Sequence, residues 1–192
     1  MLPSRKVAIS IPTKGHVRAE TMAWVLRRAN AGCDVQLVVT PLPLPHARNA
    51  QVHRFLASDC THLFTLDSDC VPPEDAIEKL LAYDLPVVVA PHASIIDGET
   101  GIMALDRVPG GYRQHHPMSG FQRCDAVGGS GLLIRRDVFD AIPSPWFMFE
   151  FDERGLLSRG EDFYFCEKLA AAGIEIWVDF GLVQRHHVGT VV

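Results

Sequence analysis

The chain has 192 residues, enough for one domain with a hydrophobic core, and 47% of them are hydrophobic while 21% are charged. The net charge of −5 argues against a surface that coats nucleic acid, and no apolar run approaches the ~20 residues of a membrane span. Five scattered cysteines without a C-x-x-C pair, and an N-terminus without a signal-peptide pattern, predict reduced thiols in a cytoplasmic protein.

The first half of the chain alternates strand and helix patterns. Short β-branched runs predict buried strands, and apolar residues at helical spacing predict helices between them. In chain order these are a strand over 7–11, a helix around 22–29, a strand over 35–40, a helix around 52–56, a strand over 62–66, a helix around 77–81 and a strand over 87–90. The proline-rich segment 41–45 predicts a stiff, non-helical connection. This order predicts a parallel, right-handed, doubly wound α/β sheet, in which ligands bind beyond the carboxyl ends of the strands.

The second half is less regular. Residues 92–126 have no sustained period and predict a long excursion with a hairpin near 109–111. Beyond it the pattern predicts a glycine turn and strand over 128–136, a short helix over 137–141, a helix after 160–162 and a strand over 174–178. Without an internal repeat or a linker, residues 1–192 are predicted to form a single domain.

Two aspartates, Asp67 and Asp69, end the segment HLFTLDSD (62–69). In an extended chain, residues i and i+2 point the same way, so the two carboxylates share one face and repel each other. A hard divalent cation such as Mg²⁺ or Mn²⁺ would relieve this repulsion and keep open positions for substrate phosphates. The alternative is a polar turn in which Ser68 and Asp69 cap the following helix.

Six motifs in a fixed order carry a resemblance to a known family. They are PTKG after the first strand, ARN at a helix start, LDSD, GGSGLLIRR, RGED before a helix and His-x-Gly near the end. Together, from about Val7 to Gly189, they resemble a compact GT-A glycosyltransferase, similar to glycosyltransferase family 2. The P-loop pattern and G-x-G-x-x-G do not occur in the sequence, which argues against an NTPase or a dinucleotide oxidoreductase.

The resemblance implies a Rossmann-like α/β fold, with a mixed, mostly parallel sheet flanked by helices. It implies transfer of a sugar from a UDP- or GDP-sugar donor to a hydroxyl acceptor (a glycan, lipid or protein), with inversion and with Mn²⁺ or Mg²⁺ as cofactor. No nucleic-acid partner and no transmembrane segment are expected.

The resemblance also assigns the metal site. Asp69 would bind the metal directly, whereas Asp67 would bind it through water or reach the ribose of the nucleotide. His187, in His-x-Gly, would complete the metal shell, and the adjacent His186 is the alternative. Imidazole tolerates Mn²⁺ better than Mg²⁺.

For the nucleotide, the resemblance implicates Thr13, after the first strand, and Arg48, near the base or the diphosphate. A solvated arginine in the first helical turn is the alternative for Arg48. Many relatives carry an acidic residue after the second strand to hold the base. Here Thr40-Pro41 stands at that place, which puts the base contact in doubt.

Glu161 and Asp162 match the acidic pair that supplies the catalytic base of the family. An inverting transfer needs a carboxylate that accepts the proton of the acceptor hydroxyl. Only one of two neighbours on a helix is expected to face the cleft, and Asp162 is favoured. The alternative is that both merely stabilise the helix N-terminus through its dipole.

The resemblance places Gly128, Gly129 and Ser130 beneath the donor sugar, where the backbone can approach the ligand closely. An ordinary turn before a strand explains these residues equally well. Trp146 is the candidate for an aromatic wall that stacks on the acceptor. Core packing is expected for the neighbouring aromatic residues Phe147, Phe149 and Phe151.

Two other functions remain open on the sequence. A sugar-phosphate nucleotidyltransferase would need a glycine-rich phosphate loop with a basic residue near the N-terminus, and PTKGHVR is a poor match to that. A non-catalytic nucleotide-sugar-binding protein would keep Asp67 and Asp69 but would not need Glu161 and Asp162.

Overall fold

The structure, a computed structural model, describes residues 5–96 and 99–187. Within these ranges the strands are β1 Val7–Thr13, β2 Asp34–Val39, β3 His62–Thr65, β4 Cys70–Val71, β5 Val87–Val89, β6 Ala93–Ile96, β7 Glu99–Ile102, β8 Ala104–Val108, β9 Gly111–Gln114, β10 Phe121–Cys124, β11 Ala126–Val127, β12 Leu132–Arg135, β13 Glu150–Phe151, β14 Leu157–Arg159, β15 Ile176–Asp179 and β16 Arg185–His186. The α-helices are α1 Ala19–Asn30, α2 Leu44–Leu56, α3 Ala76–Ala82, α4 Val138–Ala141 and α5 Glu161–Ala171. Among the described helices, none combines the length and the apolar character that a membrane crossing requires.

Seven strands form the central sheet, in the order β10-β15-β5-β12-β3-β1-β2. β1 pairs in parallel with β2 and β3, and β15 pairs in parallel with β5. β12 is antiparallel to both β3 and β5, so these two neighbours point the same way, and β10 is antiparallel to β15. The predicted mixed, mostly parallel α/β sheet is confirmed. The purely parallel order suggested by the first half is corrected at β12, which inserts between β3 and β5.

Helices cover both faces of this sheet. Successive residues of a strand point to opposite faces, and the two neighbours Leu63 and Phe64 of β3 enter different hydrophobic clusters. Leu63 packs in the cluster that contains Phe55 of α2 and Phe165 of α5. Phe64 packs in the cluster that contains Trp24 of α1, with a ring-centroid distance of 6.0 Å between these two side chains. Every residue of β1 and β3 is buried, as expected for strands that are covered on both faces of a sheet.

The helical spacing of Met22, Val25, Leu26 and Ala29 predicts the apolar face of α1, and the buried face of the helix differs from it. Thr21, Trp24 and Val25 are buried, whereas Leu26 is 57% exposed. The indole of Trp24 has more apolar area to remove from water than Leu26, and its burial rotates the buried stripe of the helix by one position.

Two expectations around β2 are wrong. β2 is the edge strand of the sheet, and Val39 at its end is 62% exposed, so the strand is not buried. Segment 41–45 is not wholly non-helical, because α2 begins at Leu44 and contains Pro45 in its first turn. Proline is tolerated there because the first N–H groups of a helix have no intrahelical partner.

The second half of the chain forms hairpins around the sheet. β8 and β9 pair across the turn at 109–110, as predicted. β13 and β14 form a second hairpin, directly before α5. β16 pairs with β4, the strand that follows Asp69, and so returns the end of the described chain to the Asp67–Asp69 segment. Gly189 of the His-x-Gly motif lies outside the described residues.

Candidate active site

The Asp67–Asp69 segment lies just beyond the carboxyl end of β3, as predicted. The backbone N–H of Asp67 donates to the buried hydroxyl Oγ of Ser130 over 3.1 Å. The carbonyl of Ser68 accepts from the backbone N–H of Arg18 over 2.8 Å, and that of Asp69 accepts from His187 N–H over 2.9 Å. These bonds tie the segment to three separate parts of the chain and hold it beyond the sheet edge.

Arg48 supplies the positive charge beside Asp67. Its side chain is buried on α2, with 1% of the residue exposed, and Nη2 donates to Asp67 Oδ1 over 2.6 Å. Burial alone lowers the pKa of Arg48, but the charges of Asp67 and Glu161 outweigh that effect and raise it. Arg48 is therefore a buried cation shared by the acidic groups of the site. The solvated arginine considered as its alternative is ruled out.

Two nitrogens of Arg48, Nε and Nη1, are buried without a hydrogen-bond partner in the described part of the chain. Buried polar groups are rarely left unpaired, so these two donors are open to a water molecule or to a bound group. A Cβ at position 129 would lie 2.6 Å from Arg48 Nη2, so Gly129 leaves the room that the guanidinium occupies. Gly128 likewise leaves room for the His92 ring, because a Cβ at position 128 would lie 2.3 Å from His92 Cε1.

Asp69 faces His186. His186 Nε2 lies 3.6 Å from Asp69 Oδ2, and its Nδ1 lies 2.8 Å from the carbonyl oxygen of Ala93. The His186 imidazole lowers the pKa of Asp69, and the carboxylate in turn raises the pKa of His186. With Nδ1 donating to Ala93, Nε2 is the ring nitrogen that faces Asp69; it carries a proton toward the carboxylate in the imidazolium form and a lone pair in the neutral form.

Ligand atoms of Asp69, Cys70 and His186 lie within 4.8 Å of one another, which makes them a candidate metal centre. Burial raises the pKa of the Cys70 thiol to about 12 in the metal-free protein, and a hard cation prefers the carboxylate and imidazole of this group to its sulfur. That set fits Mn²⁺. His187, named from the sequence as the ligand, has a buried Nε2 without a partner among the described residues, and the geometry favours its neighbour His186.

Glu161 and Asp162 begin α5, where the sequence placed them. Burial raises the pKa of both carboxyls, and the charge of Asp162 adds to the effect on Glu161. Glu161 is buried, while Asp162 is half-buried, and Asp162 Oδ1 accepts the backbone N–H of Phe163 over 2.8 Å. A carboxylate with a raised pKa and partial access to solvent suits a proton acceptor.

A cleft of about 460 Å³ opens beside the aspartates, between the ends of β1 and β2 and the start of α2. Its lining includes Thr13, Thr40 and Ser68. The hydroxyl of Thr13 accepts from the backbone N–H groups of Gly15 (3.1 Å) and His16 (2.9 Å), so it shapes the loop that forms one wall. The cleft has the size of a small-molecule site.

The aromatic segment contributes little to this site. Trp146 is 5% exposed and packs edge-on against His53 and Phe139, while its Nε1 donates to the carbonyl of Ile142 over 3.0 Å. This placement favours packing over acceptor stacking. Phe147 is buried, as expected, but Phe151 is 61% exposed, and its assignment to the core is wrong because β13 lies in a two-stranded hairpin outside the central sheet.

No family model and no curated protein sequence matches the chain. Solved structures do match. A197 from STIV superimposes with a TM-score of 0.72 at 17% identity, over 96% of this chain and 86% of that one. GalNAc-T7, solved with UDP, GalNAc and Mn²⁺, superimposes with a TM-score of 0.60 at 13% identity. This second match covers 95% of the present chain but only 44% of GalNAc-T7.

These likenesses define the class of fold. The central sheet and the helices on both of its faces form a GT-A fold, as the sequence motifs indicate. At such low identity the likeness establishes the fold and leaves the activity to be argued from the residues of the site.

Proposed function

We propose that the chain is a nucleotide-sugar-dependent glycosyltransferase, which moves a sugar from a nucleotide diphosphate donor to a hydroxyl acceptor with inversion. One observation carries the proposal. The Asp67–Asp69 segment, the buried cation Arg48, the acidic pair at the start of α5 and His186 come from four distant parts of the sequence and meet beyond one end of the sheet. UDP is the favoured nucleotide, since the GT-A structure of GalNAc-T7 contains it.

Asp69 and His186 are the residues that would hold a Mn²⁺ ion. Asp67 forms an ion pair with Arg48. The ion would neutralise charge on the diphosphate leaving group. Arg48 holds Asp67 in position through the 2.6 Å contact between its Nη2 and Asp67 Oδ1. The cleft lined by Thr13, Thr40 and Ser68 adjoins this segment and would take the nucleoside.

Asp162 is the proposed base. Its carboxylate would accept the proton of the acceptor hydroxyl as the oxygen attacks the anomeric carbon. Glu161 is more deeply buried beside it, and burial and the charge of Asp162 raise the pKa of Glu161. A protein that only senses nucleotide sugars has no need of two desolvated carboxylates at this place, which favours the enzyme over the sensor.

The test is isothermal calorimetry of UDP and GDP with the full chain, in Mn²⁺ and in EDTA. Binding should be far tighter in Mn²⁺, because the diphosphate is a multiply charged anion. Asp69→Ala should abolish the difference, while Asp59→Ala, which removes a 79% exposed aspartate paired with Lys6, should leave it intact. Equal affinity in the two buffers would refute the metal assignment. Hydrolysis of a UDP-sugar with water as acceptor then separates an enzyme from a sensor.

A further inference from the structure

A second cavity, of about 530 Å³, opens beside the start of α5. It lies between the β8–β9 hairpin, strand β14 and the exposed side of α5, and we call it the α5 cleft. The side chains that matter for its chemistry are Arg107, Tyr112, Ser158, Arg159, Phe163 and Glu167. None of them takes part in the proposed donor site.

Polar groups in the α5 cleft are held in fixed positions by Glu167. Its Oε1 lies 2.9 Å from Arg107 Nη2 and accepts the hydroxyl of Tyr112 over 3.0 Å. Its Oε2 lies 2.9 Å from Arg159 Nη1. Because both arginines use one end of their guanidinium for these bonds, the remaining N–H groups are available to a ligand. Such an array of preoriented donors and acceptors suits vicinal hydroxyl groups.

The apolar part of the α5 cleft also fits a carbohydrate. The rings of Tyr112 and Phe163 lie 5.0 Å apart and form one wall. Gly110 and Gly111, at the turn of the β8–β9 hairpin, leave backbone uncovered at the opening. Sugars combine hydroxyl edges with C–H faces, so a cavity that pairs charged hydrogen-bonding groups with aromatic surface matches both parts of the molecule.

The α5 cleft adjoins the segment that carries the proposed base. Gly160 and Phe163, the residues on either side of the acidic pair, line it. A Cβ at position 160 would lie 2.9 Å from Asp162 Oδ1, and the N–H of Phe163 donates to that same oxygen. A ligand in the cleft therefore lies against the two residues that flank the acidic pair and contact the Asp162 carboxylate.

We propose that the α5 cleft is the acceptor subsite of this chain and that it binds a polyhydroxylated acceptor, a saccharide or a polyol, through Arg107, Arg159 and Glu167. This inference rests on the proposed function for its role in catalysis. It replaces the acceptor wall expected at Trp146, whose ring is buried in the core.

The test begins with binding to an array of immobilised oligosaccharides and polyols. Wild-type protein should be retained on at least one ligand. Arg107→Ala should weaken that retention about ten- to a hundredfold, as expected for loss of hydrogen bonds to a charged group. Ser158→Trp should block the cavity without removing an ion pair. The matched control is Arg113→Ala, since Arg113 is exposed on β9, next in sequence to Tyr112, and is not among the residues that line the cleft.

The side chain of Arg107 is 54% exposed, and a thermal melt should show the Arg107 variant as folded as the control. With a retained ligand as acceptor, Arg107→Ala should raise the acceptor KM and leave the calorimetric affinity for UDP with Mn²⁺ unchanged. Failure to retain any ligand, or retention that survives both cleft variants, overturns the inference. Failure of the proposed function shows differently, as absence of nucleotide binding in wild-type protein.

Discussion

Replacing Arg48 by methionine tests the centre of the proposed donor site. Methionine keeps the length and apolar stem of arginine but removes the charge, which leaves Asp67 without its ion-pair partner at 2.6 Å. Loss of one partner from a buried pair costs roughly 3–5 kcal/mol. The Asp67 side chain is 29% exposed, so water recovers part of this and the lower end, about 3 kcal/mol, applies.

For a chain of this size, a loss of about 3 kcal/mol lowers Tm by roughly 6–12 °C. Calorimetric or circular-dichroism melts at pH 7.5 measure this directly. Arg54→Met, at an exposed position of the same helix, is the matched control and should change stability by less than about 0.5 kcal/mol. Adding Asp67→Asn to Arg48→Met should recover part of the loss, because the second change removes the unpaired charge.

The loss of folding stability caused by Arg48→Met should depend on pH. Burial already raises the pKa of Glu161 and Asp162, and Arg48 is the cation that opposes this. Without it both pKa values rise further. A carboxyl whose folded pKa lies above its unfolded pKa binds more protons when folded, so stability falls as pH rises through the folded pKa. The deficit should therefore be smaller at pH 5 than at pH 7.5. Equal stability of variant and wild type, or a deficit that grows on acidification, would refute the shared-cation role of Arg48.

Four further predictions concern the same site and the thiols. Asp162→Asn should lower transfer by ~10²-fold or more with donor affinity nearly unchanged, and Glu161→Gln should lower it less; full activity in both would eliminate the pair as base. In wild-type protein, transfer should fall on acidification with a midpoint above the ordinary carboxyl range, since burial raises the pKa of Asp162 and its protonated form cannot act as base. His186→Ala should abolish the Mn²⁺ dependence of UDP binding more completely than His187→Ala, and the reverse order would return the ligand role to His187. In a thiol titration of native protein, Cys33 should react first, since the other four cysteines are buried, and all five should react after denaturation; oxidised cysteines in fresh protein would contradict the reduced state.

Most of the secondary structure near the site could be read from the sequence, because it depends on local patterns. The apolar run before Asp67 predicts a buried strand, and the acidic pair after Gly160 marks a helix start, where carboxylates suit the dipole. Both features appear where the sequence placed them. The order of the six motifs along the chain also predicts the GT-A fold.

Aromatic residues were harder to assign, since the run 143–151 has neither helical nor strand period. Trp146 is buried and Phe151 is exposed, and the difference depends on where the β13–β14 hairpin leaves the core. Likewise, Leu26 fits the helical spacing of α1 as well as Trp24 does, and only packing against Phe64 selects the larger side chain.

The sequence by itself determined which residue types stand at the ends of strands and helices: Asp67 and Asp69 after β3, and the acidic pair at the start of α5. The tertiary structure decided which of them meet. The pairing of β16 with β4 sets His186, rather than His187, against Asp69, since a shift of one residue in a strand turns the side chain to the other face. The antiparallel insertion of β12 brings Gly129 over Arg48, and the β8–β9 hairpin closes the α5 cleft. These contacts join residues far apart in the chain, and no local periodicity encodes them.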